Sequence, residues 1–202
     1  GAGCSATASS TVSVNPLPNA NITPATASVC AGSSITLTAS GGGTYSWSGG
    51  LGSNASVTVS PSSTTTYTVT VTSGAGCSAT ASRVVTVNPL PVASITPATV
   101  SICAGSSTTL TASGGGTYAW SNSLGSTATV TVNPTTTTTY TVTVTSGAGC
   151  SATASRVVTV NPLPTPSISP ATVSICVGQS SQLTASGGGA YAWSNSLGSN
   201  AT

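Results

Sequence analysis

Apolar and hydroxyl side chains alternate along much of this chain, the period-two signature of strands that bury one face. Ala128, Val130 and Val132 make one inward row, and Tyr140, Val142 and Val144 make the next, with Thr on the outward face between them. Leu110 and Ala112 share a face, as do Tyr118 and Trp120. An earlier strand is broken: Ala93 to Ile95 and Val100 to Cys103 are separated by Pro97, which cannot donate to a ladder. Turns are expected at 104–106, at Gly114-Gly115-Gly116 and at Gly147-Ala148-Gly149, before a last strand from Ala152 to Val160. Six or seven short antiparallel strands of this kind predict an all-β, two-layer sandwich.

The pattern is periodic on a larger scale. Residues 73–91 recur unchanged as residues 146–164 and, slightly drifted, as residues 1–18, so that Cys4, Cys77 and Cys150 stand 73 residues apart. Such self-similarity predicts a tandem array. Asn-Pro-Leu-Pro closes each copy, and two prolines in three residues end a sheet and stiffen a connector. The expected division is a C-terminal remnant of a preceding module (1–18), two whole modules (19–91 and 92–164) and the N-terminal part of a further one (165–202). Gly1 falls inside a repeat, which predicts a piece of a longer chain. The two remnants total 56 residues and do not complete one module, which counts against a subunit completed by a single neighbour.

Composition narrows the function classes. The only charged side chains are Arg83 and Arg156; Asp, Glu, Lys and His are absent. Acid–base catalysis needs a proton carrier near neutral pH and calcium needs carboxylates. The expectation is therefore no enzyme, no catalytic residues, no cofactor and no metal. Two arginines cannot make the dense phosphate contacts of nucleic-acid binding, and no apolar run reaches the ~20 residues of a membrane span. Thr and Val suit a pleated surface, giving a sheet that is polar outside without charge. The arginines take the place of Ser10 in the first copy and read as solubility or packing residues, with a site for an anionic partner as the rival. Asn21, Asn54 and Asn200 open N-glycosylation sequons. The segments 121–125 and 194–198 are identical, which favours a spacer over an adhesin whose loops vary on a constant scaffold.

The aromatic positions carry a resemblance. Trp47, Trp120 and Trp193 follow the glycine triplets, where immunoglobulin-like sandwiches place the core Trp of strand C. Tyr67 and Tyr140 follow Thr runs, where a tyrosine corner would open strand F. With Leu37 and Leu110 these residues are the expected core. The segments 95–114, 118–121, 137–144 and 149–154 resemble the Ig-like or PKD-like repeats of very large secreted surface proteins of Bacteroidota. That resemblance covers the whole chain and implies a stalk, matrix or adhesin role outside the cell, with neighbouring modules or subunits as partners, or glycans for an adhesin.

Six cysteines without His or Cys-x-x-Cys point to disulfides rather than zinc. Two pairings compete: Cys30 with Cys77 and Cys103 with Cys150 inside modules, or Cys30 with Cys150 between them. The immunoglobulin-like topology favours the second. It puts Leu110 and Val142 where the usual inter-sheet bridge lies, and it places Cys103 toward the A-B turn and Cys150 in the F-G hairpin, at opposite ends of a sandwich. Cys4, Cys77, Cys103 and Cys176 would then find partners in repeats outside this sequence.

Overall fold

A computed structural model describes residues 2–194 and Gly198. The described residues are strands joined by turns, with a single 3-10 turn at Ser48–Gly50. Spatial contacts divide the chain into two compact units. The first comprises 1–92 with 115–117 and 144–152; the second comprises 93–114, 118–143 and 153–202.

The first module contributes seven strands: β1 (Asn21–Thr23), β2 (Ala27–Cys30), β3 (Ile35–Ser40), β4 (Thr44–Trp47), β5 (Ser56–Val59), β6 (Thr65–Thr72) and β7 (Ser78–Asn88). They form a three-stranded sheet in the order β1-β3-β5 and a four-stranded sheet in the order β2-β7-β6-β4. The chain leaves one sheet and joins the other at Pro24, where the missing N–H and fixed φ stop β1. Beyond that break β2 runs parallel to β7, while β1 is antiparallel to β3.

The second module repeats the order with β8 (Ser94–Thr96), β9 (Val100–Cys103), β10 (Thr108–Ser113), β11 (Thr117–Trp120), β12 (Thr129–Val132), β13 (Thr138–Thr145) and β14 (Ser151–Asn161). Its sheets are β12-β10-β8 and β11-β13-β14-β9, again with β9 parallel to β14. The broken first strand read around Pro97 is therefore two strands in two sheets.

The alternation in sequence becomes burial. In the first module Ile22, Leu37, Val69, Val71 and Val85 are fully buried, and Trp47, Val57 and Val59 close the core around them. The second module buries Ile95, Leu110, Trp120, Val130, Val132, Tyr140, Val142 and Val158. Each buried indole N–H finds a backbone carbonyl seven residues on, Trp47 Nε1 donating to Asn54 at 2.9 Å and Trp120 Nε1 to Thr127 at 2.9 Å. Tyr67 is half-buried and packs on the core edge. Tyr140 is buried in the core of the second module, so both tyrosines take the core positions expected of them. Trp193, expected in a core, is half-buried.

The last glycine of the triplet in each of the first two modules is sterically required. At Gly43 and Gly116 φ is +145° and +146°, and a Cβ would lie 2.1 Å from the carbonyl oxygens of Thr72 and Thr145. The tight turn into β4 or β11 depends on that missing carbon.

On the solvent face, hydroxyls pair across the strands where other proteins place charges. Thr36 meets Thr58, Thr38 meets Ser56, Thr68 meets Ser82 and Thr72 meets Ser78, at 2.8–3.1 Å. Thr141–Ser155 and Thr145–Ser151 repeat the device in the second module at 2.8 and 2.9 Å. Cross-strand pairs of this kind each contribute about 0.2–1 kcal/mol, and no ionisable group takes part.

Candidate functional site: a cysteine joint

Two tight structures bring Cys30 and Cys150 to one place. Cys30 ends β2, directly opposite Asn88 at the end of β7. Just beyond it the Ala31 N–H donates to the Asn88 carbonyl at 2.8 Å, and the Ser33 N–H turns back to the Cys30 carbonyl at 2.9 Å. Cys150 closes the turn between β13 and β14. The Ser146 N–H donates to the Cys150 carbonyl at 2.8 Å, the Gly149 N–H to Ser146 at 2.9 Å, and the Cys150 N–H to Ser146 Oγ at 3.3 Å. Cys150 is fully buried, and its Sγ sits 3.9 Å from the Asn88 carbonyl oxygen.

The two cysteines are joined by a disulfide, with Cα atoms 5.5 Å apart and a separation of 120 positions in sequence. Both half-cystines belong to the first compact unit. The Cys30–Cys77 pairing is not formed, and the register gives the reason. Cys30 lies beside Asn88, whereas Cys77 precedes β7 at its other end, eleven residues back along the same strand. At ~3.3 Å per residue that is about 35 Å, against the ~7 Å between Cα atoms that a disulfide tolerates. The companion Cys103–Cys150 pairing is likewise not formed, because Cys150 is bonded to Cys30. Cys4, Cys77, Cys103 and Cys176 are unbonded; Cys77 is half-buried and the other three are exposed.

Arg83 and Arg156 have a role that their isolation in sequence conceals. Each stands on the last strand of its module and reaches back to the break in the first. The Arg83 guanidinium donates through Nη1 to the Ala25 carbonyl and through Nη2 to the Ile22 carbonyl at 2.8 Å. Arg156 does the same with Ala98 and, at 2.9 Å, Ile95. The side chain clips the β1-to-β2 or β8-to-β9 crossover onto the opposite sheet, and both terminal nitrogens are spent on carbonyls. Nε is buried and without an acceptor among the described residues. The sole hint in sequence was an Arg at the same place in both whole modules.

Of the candidate glycosylation sites, Asn21 and Asn54 are exposed and Asn200 lies outside the described residues. Among the described residues no cluster of three His, Cys, Asp or Glu could hold a metal, and no helix is long and apolar enough to cross a membrane.

No family model matches the chain, and no curated protein does. Among solved structures it is similar to the N-terminal four Ig domains of Dscam1 isoform 1.9, at 18% identity and a TM-score of 0.32, over 66% of this chain and 43% of that one. It is similar to three N-terminal domains of the outer capsid protein Hoc of bacteriophage RB49, at 20% identity and a TM-score of 0.37, over 75% of this chain and 60% of that one. A third similarity is to the titin domains z1z2 in complex with telethonin, at 17% identity and a TM-score of 0.29, over 72% of this chain and 98% of that one. This chain thus spans less than two thirds of the first two. The fold is all-β and immunoglobulin-like. Its strand order states this directly: one sheet holds the first, third and fifth strands, and the other pairs the last two with the fourth and with the switched half of the first.

Proposed function

We propose that this chain is part of a non-enzymatic extracellular stalk or fibre, a tandem array of Ig-like modules whose work is mechanical. The observation that carries this reading is the Cys30–Cys150 disulfide, which links the first whole repeat to the second in sequence. A covalent cross-link at a module joint resists separation under load. The hydroxyl-paired faces support the same role, because a surface held without carboxylate, ammonium or imidazole groups keeps its interactions when salt or pH changes. Disulfides persist in oxidising compartments, which supports a place outside the cell. The Ig-like repeats of Bacteroidota surface proteins remain the family this reading points to.

Single-molecule stretching between the chain ends tests it. With the disulfide intact, the chain between Cys30 and Cys150, a separation of 120 positions, stays out of the path of the force. Reductant should lengthen the fully extended chain by about 400 Å at ~3.3–3.6 Å per residue. An equal length in both conditions would remove the mechanical role. Saturable binding of the chain on a glycan array would favour the adhesin reading instead.

A further inference from the structure

Cys77 and Cys103 are each placed as one of the bonded cysteines is. Cys77 Sγ lies 3.7 Å from the Asn15 carbonyl oxygen, as Cys150 Sγ lies 3.9 Å from that of Asn88, one repeat later. The Cys77 N–H is held by Ser73 Oγ at 3.2 Å, and Ser73 donates to the Cys77 carbonyl at 2.8 Å, as around Cys150. Cys103 repeats Cys30. It stands opposite Asn161 in a parallel ladder, the Ala104 N–H donates to Asn161 at 2.9 Å, and the Ser106 N–H turns back to Cys103 at 3.0 Å. What the Cys30–Cys150 joint has and these sites lack is the facing cysteine.

We propose that Cys77 and Cys103 are the two halves of that same joint, each taking the cysteine of a further copy of this repeat: Cys77 from a preceding one, Cys103 from a following one. The inference rests on the structural reading above and deepens it. Formation of the bond removes two protons and two electrons from the two thiols. An oxidised small-molecule disulfide such as oxidised glutathione accepts them and is itself cleaved to two thiols.

One property follows from the lengths alone. The bonded loop spans 120 residues while the repeat is 73, so successive loops overlap and every peptide bond between joints lies inside at least one of them. Trypsin can cleave after Arg83 and Arg156, once per repeat. The segment 84–156 that it creates carries both Cys103 and Cys150, one bond toward each neighbour. An array built this way stays a single molecule after the backbone of every repeat has been cut.

The test extends the full chain at Thr202 with a copy of residues 130–164, which completes a third module and adds one cysteine. The product is oxidised in a glutathione buffer, denatured without reductant, titrated for thiols and digested with trypsin. The present chain has four free cysteines. The expected count is three, with the added cysteine linked to Cys103 and all cysteine-bearing tryptic fragments held together until reductant is added. Cys103→Ser in the extended chain should release the third-module fragment without reductant. Five free thiols in material that has formed Cys30–Cys150, or an added cysteine linked to Cys176, would overturn the inference. Formation of Cys30–Cys150 reports folding in the same digest. Glycan binding would sink the proposed function and leave this linkage standing, so the two can fail separately.

Discussion

The eleven residues Ser5 to Asn15 and Ser78 to Asn88 differ at three positions, yet they have opposite fates. The later copy is the long strand β7, flanked by β6 and β2. The earlier copy has no regular element, and Val12 is 85% exposed where its counterpart Val85 is 0% exposed. The same contrast appears in the other partial module. Strands β15 (Ser167–Ser169) and β16 (Thr184–Ser186) pair as β8 and β10 do, but Ile168 is 53% exposed where Ile95 is 3% exposed. A strand-forming pattern therefore supplies a face that can be buried. Burial itself waits for the second sheet, since two strands alone remove too little apolar surface from water to offset the ordering of the chain.

The sharpest way to break this comparison is hydrogen exchange. Amides of residues 79–87 should exchange at least about 10³-fold more slowly than those of residues 6–14, given the several kcal/mol typical of a folded domain. Similar rates in the two copies would show that the segment needs no partner. A substitution made at equivalent sites comes next. Trp120→Ala should cost about 3–5 kcal/mol in urea unfolding, because a buried ring leaves a cavity. Trp193→Ala, at a half-buried site, should cost less than about 1 kcal/mol. Equal losses would mean that the third module has a core of its own.

Reduction of Cys30–Cys150, or Cys150→Ser, should lower the stability of the first compact unit by about 2–4 kcal/mol, the usual worth of a bond closing a long loop. An unchanged urea midpoint would make the bond a linker and nothing more. Arg83→Ser, which restores the residue of the first copy, removes two charge-assisted bonds from a half-exposed side chain. It should cost about 1–2 kcal/mol. A change within error would leave Arg83 a solubility residue. The smallest expected effect is that of pH. With no Asp, Glu or His in the chain, no side chain titrates between about pH 2 and 7, so stability there should be flat. A midpoint that moves across this range would point to ionisable groups absent from the sequence.

How much of this was legible beforehand depends on the distance over which each feature is decided. Strands, turns and the inward parity of Leu37, Leu110, Trp47 and Trp120 follow from local alternation. The glycine triplets likewise announce their turns, although the need for Gly43 and Gly116 in particular comes from the carbonyls of Thr72 and Thr145, many residues away. The Arg83 clip was hidden because its acceptors lie 58 and 61 residues distant, and a backbone carbonyl leaves no mark in sequence.

The sequence by itself determined an all-β chain and its nearly uncharged surface, because side-chain period and composition are properties of neighbours along the chain. Tertiary structure alone decided which repeat of a strand is buried, which carbonyls the arginines hold and which cysteines meet. Those outcomes depend on register between strands roughly sixty or more residues apart. Cys30 stands beside Asn88, an entire strand away from Cys77, and it is this offset that separates the bonded pair from the unbonded one.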